Sequence, residues 1–329
     1  MSKVPAIDIA RFYGGSEADR RALGKAVAQA CETIGFFMVG GHQVDAQLIH
    51  DVQAIALEFF DLPLIEKRRV LPPQGVLLRG YTAPETNTLS RSRKIETPPD
   101  MRELMSAGSP DITGREYAEY PGARLFYTPN IWPEHPPALP RLFTAYVRAM
   151  EHLSRDLMRL FALGLDLSET YFDDKIDHHF AAFHALHYGA RPTPPLPGQL
   201  RAGAHSDFGS LTVLYPPGGG DGLEVLAPSG EWVAVDPEPG VFVINIGDLM
   251  QRWTNDRWTS TLHRVVNPSD TEGWRQRRLS LGFFCHPNYD AMVSCLPTCL
   301  TPGEQPRYPD ILAGEYMREK IMAVRHYAG

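Results

Sequence analysis

Residues 202–215, AGAHSDFGSLTVLY, set a histidine and an aspartate two positions apart at the entrance to an apolar, strand-like run. On a strand, residues i and i+2 share a face, so His205 and Asp207 can aim an imidazole and a carboxylate at one point while Ser206 turns away. A third donor would complete a two-histidine, one-carboxylate facial triad, the set that holds non-haem Fe(II) and leaves positions open for oxygen and substrate. His263, in STLHRVVNP, is the best third donor because it too enters a predicted strand. Four other histidines compete. His178 and His179 are adjacent and point apart on any strand, and no carboxylate stands at same-face spacing beside His184 or His187, so these read as helix-end or core-edge residues.

A lone His-x-Asp is weak evidence for metal. A second same-face pair, Arg278 and Ser280 in RLSLGFF, strengthens it. An arginine turned into an apolar barrel is costly without an anionic partner. A dicarboxylate that chelates iron at one end brings that partner at its other end, where a guanidinium fork binds it bidentately and a hydroxyl adds a hydrogen bond. The competing reading pairs Arg278 with a protein carboxylate at the sheet edge.

Strands must carry these residues, and the chain beyond about 178 supplies them. Period-two runs stand at 180–188, 211–215, 223–226, 232–235, 241–246, 263–266 and 278–284, separated by turn signals such as PPGGGDG, APSG and PEPG. Short strands at this spacing predict a mainly β fold with flanking helices: a double-stranded β-helix, or jelly roll, with an N-terminal α/β extension. Upstream, VPAIDIARF reads as a strand, Ser16 as a helix cap, and Leu23, Val27, Ala30, Cys31 and Ile34 as a helical stripe ending at Gly35. GFFMVGG is another strand, and 45–60 and 141–164 are helical. The proline-rich stretch from 64 to 140 lacks periodicity, which suits a lid or cleft wall. The expected organisation is an N-terminal helical and irregular region at 1–140, a supporting helix at 141–164, a jelly-roll core at 178–290 and a C-terminal extension with a helix at 291–329.

Glycine (28) and proline (29) are abundant among the 329 residues, as many turns require, and a formal charge of −7 offers no broad basic surface to a nucleic acid. Four cysteines, Cys31, Cys285, Cys295 and Cys299, are too irregularly placed for a disulfide framework and read as reduced thiols in a cytoplasmic protein. No segment approaches the roughly 18 apolar residues of a membrane span. The expected partner is a small-molecule substrate, with the chain a monomer or weak homo-oligomer.

Taken together, AGAHSDFGSLTVL, FVINIGDLMQRWTNDRWTSTLHRVVNP and RLSLGFFCHPN resemble the C-terminal signature of the isopenicillin N synthase-like Fe(II)/2-oxoglutarate-dependent oxygenases, and VPAIDIARF, IGFFMVGGHQV, RGYTAP and NIWPE resemble that family's N-terminal region. The resemblance implies Fe(II) on His205, Asp207 and His263, the far carboxylate of 2-oxoglutarate on Arg278 and Ser280, and a further cosubstrate contact from Tyr188. Leu186 departs from the family's common Asn-x-Tyr pattern. It also implies decarboxylation of 2-oxoglutarate with O2, coupled to hydroxylation, desaturation or ring closure of a small molecule. Alternatives are an iron oxidase of the same fold that does not use 2-oxoglutarate or makes ethylene from it, and a non-catalytic metal-dependent binding or sensing module. Phe208, His184, Phe284, Tyr81 and Arg79 are candidate substrate contacts, each with a structural reading beside it. GGGDG at 218–222 reads as a hairpin turn, and Asn245 and Asp248 of NIGDLM as structural turn residues.

Overall fold

The structure, a computed structural model, describes residues 3–325 apart from 75, 77, 87, 192, 217–221 and 269–273. Strand β1 (Ala6–Asp8) and the single turn α1 (Ala10–Gly14) lead into α2 (Glu17–Thr33). Ser16 starts α2 with a capping box: its Oγ accepts the Asp19 N–H at 3.2 Å while the Asp19 carboxylate accepts the Ser16 N–H at 2.9 Å. Gly35 ends the helix region with φ of +68°, turning the chain into β2 (Phe36–Gly40). Asp45 caps α3 (Ala46–Phe60), and α4 (Leu64–Arg68) follows.

The stretch from 64 to 140 is less irregular than its prolines suggest, since it contains β3 (Gly80–Thr82) and β4 (Glu103–Gly108). All six residues of β4 are buried, so it carries no apolar–polar alternation to read. Then come α5 (Leu139–Gly164), β5 (Ala182–Tyr188), β6 (Ala202–His205), β7 (Leu211–Tyr215), β8 (Leu223–Leu226), β9 (Trp232–Ala234), β10 (Phe242–Ile246), α6 (Asp248–Trp253), β11 (His263–Val265), β12 (Arg278–Cys285), β13 (Met292–Val293), β14 (Ile311–Leu312) and α7 (Ala313–Arg325). The predicted glycine-rich turn at 218–222 lies outside the described residues except for Gly222.

Two sheets make the jelly roll. The larger runs β1-β2-β10-β7-β12-β5-β4-β3 and the smaller β6-β11-β8-β9. Within the larger sheet, alternation divides the strands: Met105, Phe183, Val213, Leu281 and Phe283 join the main core with the apolar stripes of α3 and α5. The opposite parity, Leu104, Ser106, His184, Leu186 and Phe284, lines an interior cavity. Helix α2 meets α5 at Gly24 and Gly164, where a Cβ on Gly24 would stand 2.7 Å from the Leu163 Cβ and 2.9 Å from the Gly164 nitrogen.

Candidate metal centre and substrate cavity

The smaller sheet sets two imidazoles side by side. β11 runs antiparallel to β6 with His263 opposite His205, and the ring centroids are 4.3 Å apart. The Nδ1 of His205 lies 2.7 Å from the Gly203 carbonyl and that of His263 lies 3.2 Å from the Thr261 carbonyl. A carbonyl oxygen only accepts, so each Nδ1 carries the proton and each Nε2 presents a lone pair. Both Nε2 atoms are 3.8 Å from Asp207 Oδ1, and the three donor atoms lie within 4.8 Å of one another.

Asp207 reaches this position differently from the strand geometry expected of it. β6 ends at His205, and Asp207 lies in the connection to β7. Hydrogen bonds fix it instead. Its Oδ2 accepts from Thr212 Oγ1 at 2.5 Å and Asn245 Nδ2 at 2.8 Å, and its carbonyl accepts the Asp248 N–H at 2.8 Å. Thr212 and Asn245 are cross-strand partners on β7 and β10, so the sheet register builds the clamp. With Oδ2 taken, Oδ1 faces the imidazoles. Burial holds the His205 imidazole neutral, down to about 3, with His263 adding to the effect. Burial would raise the Asp207 carboxyl, but the neighbouring His263 and His205 and the bonds from Asn245 and Thr212 outweigh it and hold it below the ordinary carboxylate value. Two bare ring nitrogens and one carboxylate oxygen, buried and preset, fit a first-row divalent metal, with Fe(II) among those this donor set suits.

The second same-face pair sits on β12. Arg278 is opposite Tyr188 of β5, with the guanidinium 5.3 Å from the ring centroid, and Ser280 is opposite Leu186. Ser280 is 1% exposed and its Oγ has no hydrogen-bond partner. An orphaned buried hydroxyl costs stability unless something else satisfies it, and the carboxylate of a cosubstrate is an acceptor of the right kind.

Two family models match the chain: the N-terminal region of non-haem dioxygenases in morphine synthesis over residues 4–135, and the 2OG-Fe(II) oxygenase superfamily over residues 176–287. A 2-oxoglutarate-Fe(II) type oxidoreductase, hxnY, of Emericella nidulans is 37% identical, over 95% of this chain and 88% of the relative. The chain belongs to the 2OG-Fe(II) oxygenase superfamily. A 2-oxoglutarate-Fe(II) type oxidoreductase of Aspergillus fumigatus is 33% identical over 96% of this chain and 92% of its own. The crystal structure of a full-length Neurospora crassa protein in complex with alpha-KG and thymine superposes with a TM-score of 0.84 at 28% identity, covering 97% of this chain and 96% of that one. The protein is therefore an Fe(II)- and 2-oxoglutarate-dependent oxygenase that uses O2, on a jelly-roll fold.

In this 2OG-Fe(II) oxygenase a cavity of about 230 Å³ opens beside the triad. His205 and Asp207 line it, as do four of the five expected contacts: Arg79, His184, Phe208 and Phe284. Tyr81 does not. It is fully buried on the core side of the sheet, where its hydroxyl donates to Glu103 Oε2 at 2.5 Å, because its partner on β4 is Met105 and it shares that residue's face. Arg79 is spent on structure, donating to the carbonyls of Thr128, Leu78 and Phe126. His184 binds Ser106 Oγ through Nδ1 at 2.7 Å and meets the Phe284 ring edge-on at 5.1 Å. Sequence reasoning misses Thr212, which holds Asp207, and the cavity-lining Arg102, and takes Asn245 for a turn residue. Asn245 was findable, since a polar residue inside the run FVINI needs a buried partner.

Proposed function

We propose that His205, Asp207 and His263 hold Fe(II), that Arg278, Ser280 and Tyr188 hold 2-oxoglutarate, and that the enzyme hydroxylates a C–H bond of a small organic molecule seated in the cavity. The observation that carries this reading is the convergence of two lone-pair Nε2 atoms on a carboxylate oxygen whose sister oxygen is already bonded. When bound, the iron with 2-oxoglutarate and O2 supplies oxidative decarboxylation to succinate and carbon dioxide, coupled to oxidation of the substrate. The chain's own residues do the rest. Gly203 and Thr261 fix the imidazole tautomers, and Thr212 and Asn245 aim the carboxylate. Phe208, Phe284, Met317 and Ile321 give the cavity apolar walls that exclude water.

On this reading the core lies within 178–290, the described parts of 1–140 and 141–164 brace it, and α7 of the C-terminal extension reaches the cavity through Met317 and Ile321. The four free cysteines suit the reducing cytoplasm. The test is spectroscopic. Anaerobic addition of Fe(II) and 2-oxoglutarate gives a charge-transfer absorption band in the wild type, and Asp207→Ala abolishes it. An unchanged band in that variant would sink the ligand assignment. Mass spectrometry of any compound that stimulates succinate release reads the reaction type: a gain of one oxygen atom supports hydroxylation, and a loss of two hydrogens replaces it with desaturation or ring closure.

A further inference from the structure

A guanidinium keeps its charge inside a protein, so one turned into a cavity asks for an anion. Two line this cavity, and they differ in what they already hold. Arg79 is buried, with Nε, Nη1 and Nη2 each on a backbone carbonyl at 2.8–3.2 Å, which makes it a clasp between loops. Arg102 has no such commitments. It immediately precedes β4, sharing strand parity with Leu104 and Ser106, and its Nε is buried without a hydrogen-bond partner. Among the described residues no carboxylate lies within ion-pair distance of it. Asp100, two residues earlier, feels the attraction of Arg102 but makes no ion pair with it, its oxygens being on the backbone N–H groups of Leu89 and Gly203 at 3.0 and 2.9 Å.

Among the described residues Asp207 is the only carboxylate that lines the cavity, and its open oxygen faces the two imidazoles. Arg102 lines the same cavity as His184 and His205. His184 is held neutral by burial, down to about 3, so it adds no competing positive charge. Leu89, Leu104, Phe208, Phe284 and Ile321 add apolar wall, and Thr82, Thr88, Ser92 and Ser206 add hydroxyls but no charge.

We propose that the substrate is a small carboxylic acid with an apolar body, its carboxylate gripped by Arg102 and the carbon to be oxidised lying toward His205, Asp207 and His263. The proposal rests on the metal and cosubstrate assignment above and adds the chemical class that assignment leaves open. A fork of N–H donors pairs with a carboxylate at two points, whereas the matching primary amide brings no charge and leaves the guanidinium uncompensated.

The test uses the Fe(II)–2-oxoglutarate enzyme under anaerobic conditions, titrated calorimetrically with matched acids and amides: benzoate and benzamide, phenylacetate and phenylacetamide, hexanoate and hexanamide. At least one acid should bind about tenfold or more tightly than its amide, the difference a charge-assisted pair commands. Arg102→Gln should remove the preference and Arg102→Lys should retain part of it. A panel in which no acid outbinds its amide overturns the proposal, as does a preference that survives in Arg102→Gln. The charge-transfer band separates the two levels of inference. Its absence from the wild type counts against the metal and cosubstrate assignment. Its loss in Arg102→Gln alone would make Arg102 a cosubstrate residue and overturn the substrate proposal.

Discussion

Asn245 and Ser280 show how much a single buried polar atom can decide. Asn245 Nδ2 holds the Asp207 oxygen that does not face the histidines, so Asn245→Ala leaves that oxygen on Thr212 alone and loosens the carboxylate. Fe(II) affinity, measured by anaerobic calorimetry, should fall about 10- to 100-fold while the fold persists, the range typical of losing a group that orients a ligand. Ser280→Ala makes an opposite pair of changes. It removes an orphaned hydroxyl from the cosubstrate-free protein, which should gain about 1 kcal/mol in urea unfolding, and it weakens 2-oxoglutarate by about tenfold in a titration of the charge-transfer band. Stability and affinity moving together would argue for an ordinary packing role. His205, Asp207, His263, Arg278 and Ser280 are legible as candidates because their spacing is itself chemical information. Tyr81 is misplaced and Arg102 missed for the same reason: whether a residue faces the cavity or the core depends on the register of β3 and β4, which no local pattern announces.

At the scale of elements, helices can be read within a few residues because caps and stripes are local: the expected 45–60 is Ala46–Phe60 and the expected 141–164 is Leu139–Gly164. Most strands of the core are equally plain, whereas the four-residue β6 is not among the expected runs and β4 is hidden by being buried on both faces. The contact between α2 and α5 is not visible at all, because Gly24 reads in sequence only as a weak helix former. In the structure it is a necessity of packing. Gly24→Ala should therefore destabilise by about 1–3 kcal/mol in urea unfolding, although alanine is worth about 1 kcal/mol more than glycine in a helix interior. A rise in stability would mean the helices can separate at little cost.

The whole molecule titrates as a consequence of what the cavity buries. His184 and His286 are both depressed to about 3 by burial, far below the 6.5 they have when unfolded. Between those values the unfolded chain binds protons that the folded chain refuses, so their stabilisation is present above about pH 6.5 and lost as pH falls. The metal-free protein should lose about 1.4 kcal/mol per pH unit for each of the two histidines, and His184→Gln should remove one share of that slope from urea midpoints taken at pH 7 and pH 5. An identical slope in the variant would mean His184 is already solvated. The same interior ties distant parts together through Asp248. Its N–H donates to the Asp207 carbonyl at 2.8 Å, and its carboxylate accepts from Tyr316 at 3.1 Å and pairs with Lys320 at 3.3 Å, on the helix that brings Met317 and Ile321 into the cavity. Asp248, at the start of α6, thus bonds both to the connection that carries Asp207 and to the helix whose Met317 and Ile321 line the cavity. Thermodynamic linkage then works in both directions: whatever free energy a bound substrate spends on docking α7 more firmly returns as tighter retention of the metal, by the same factor.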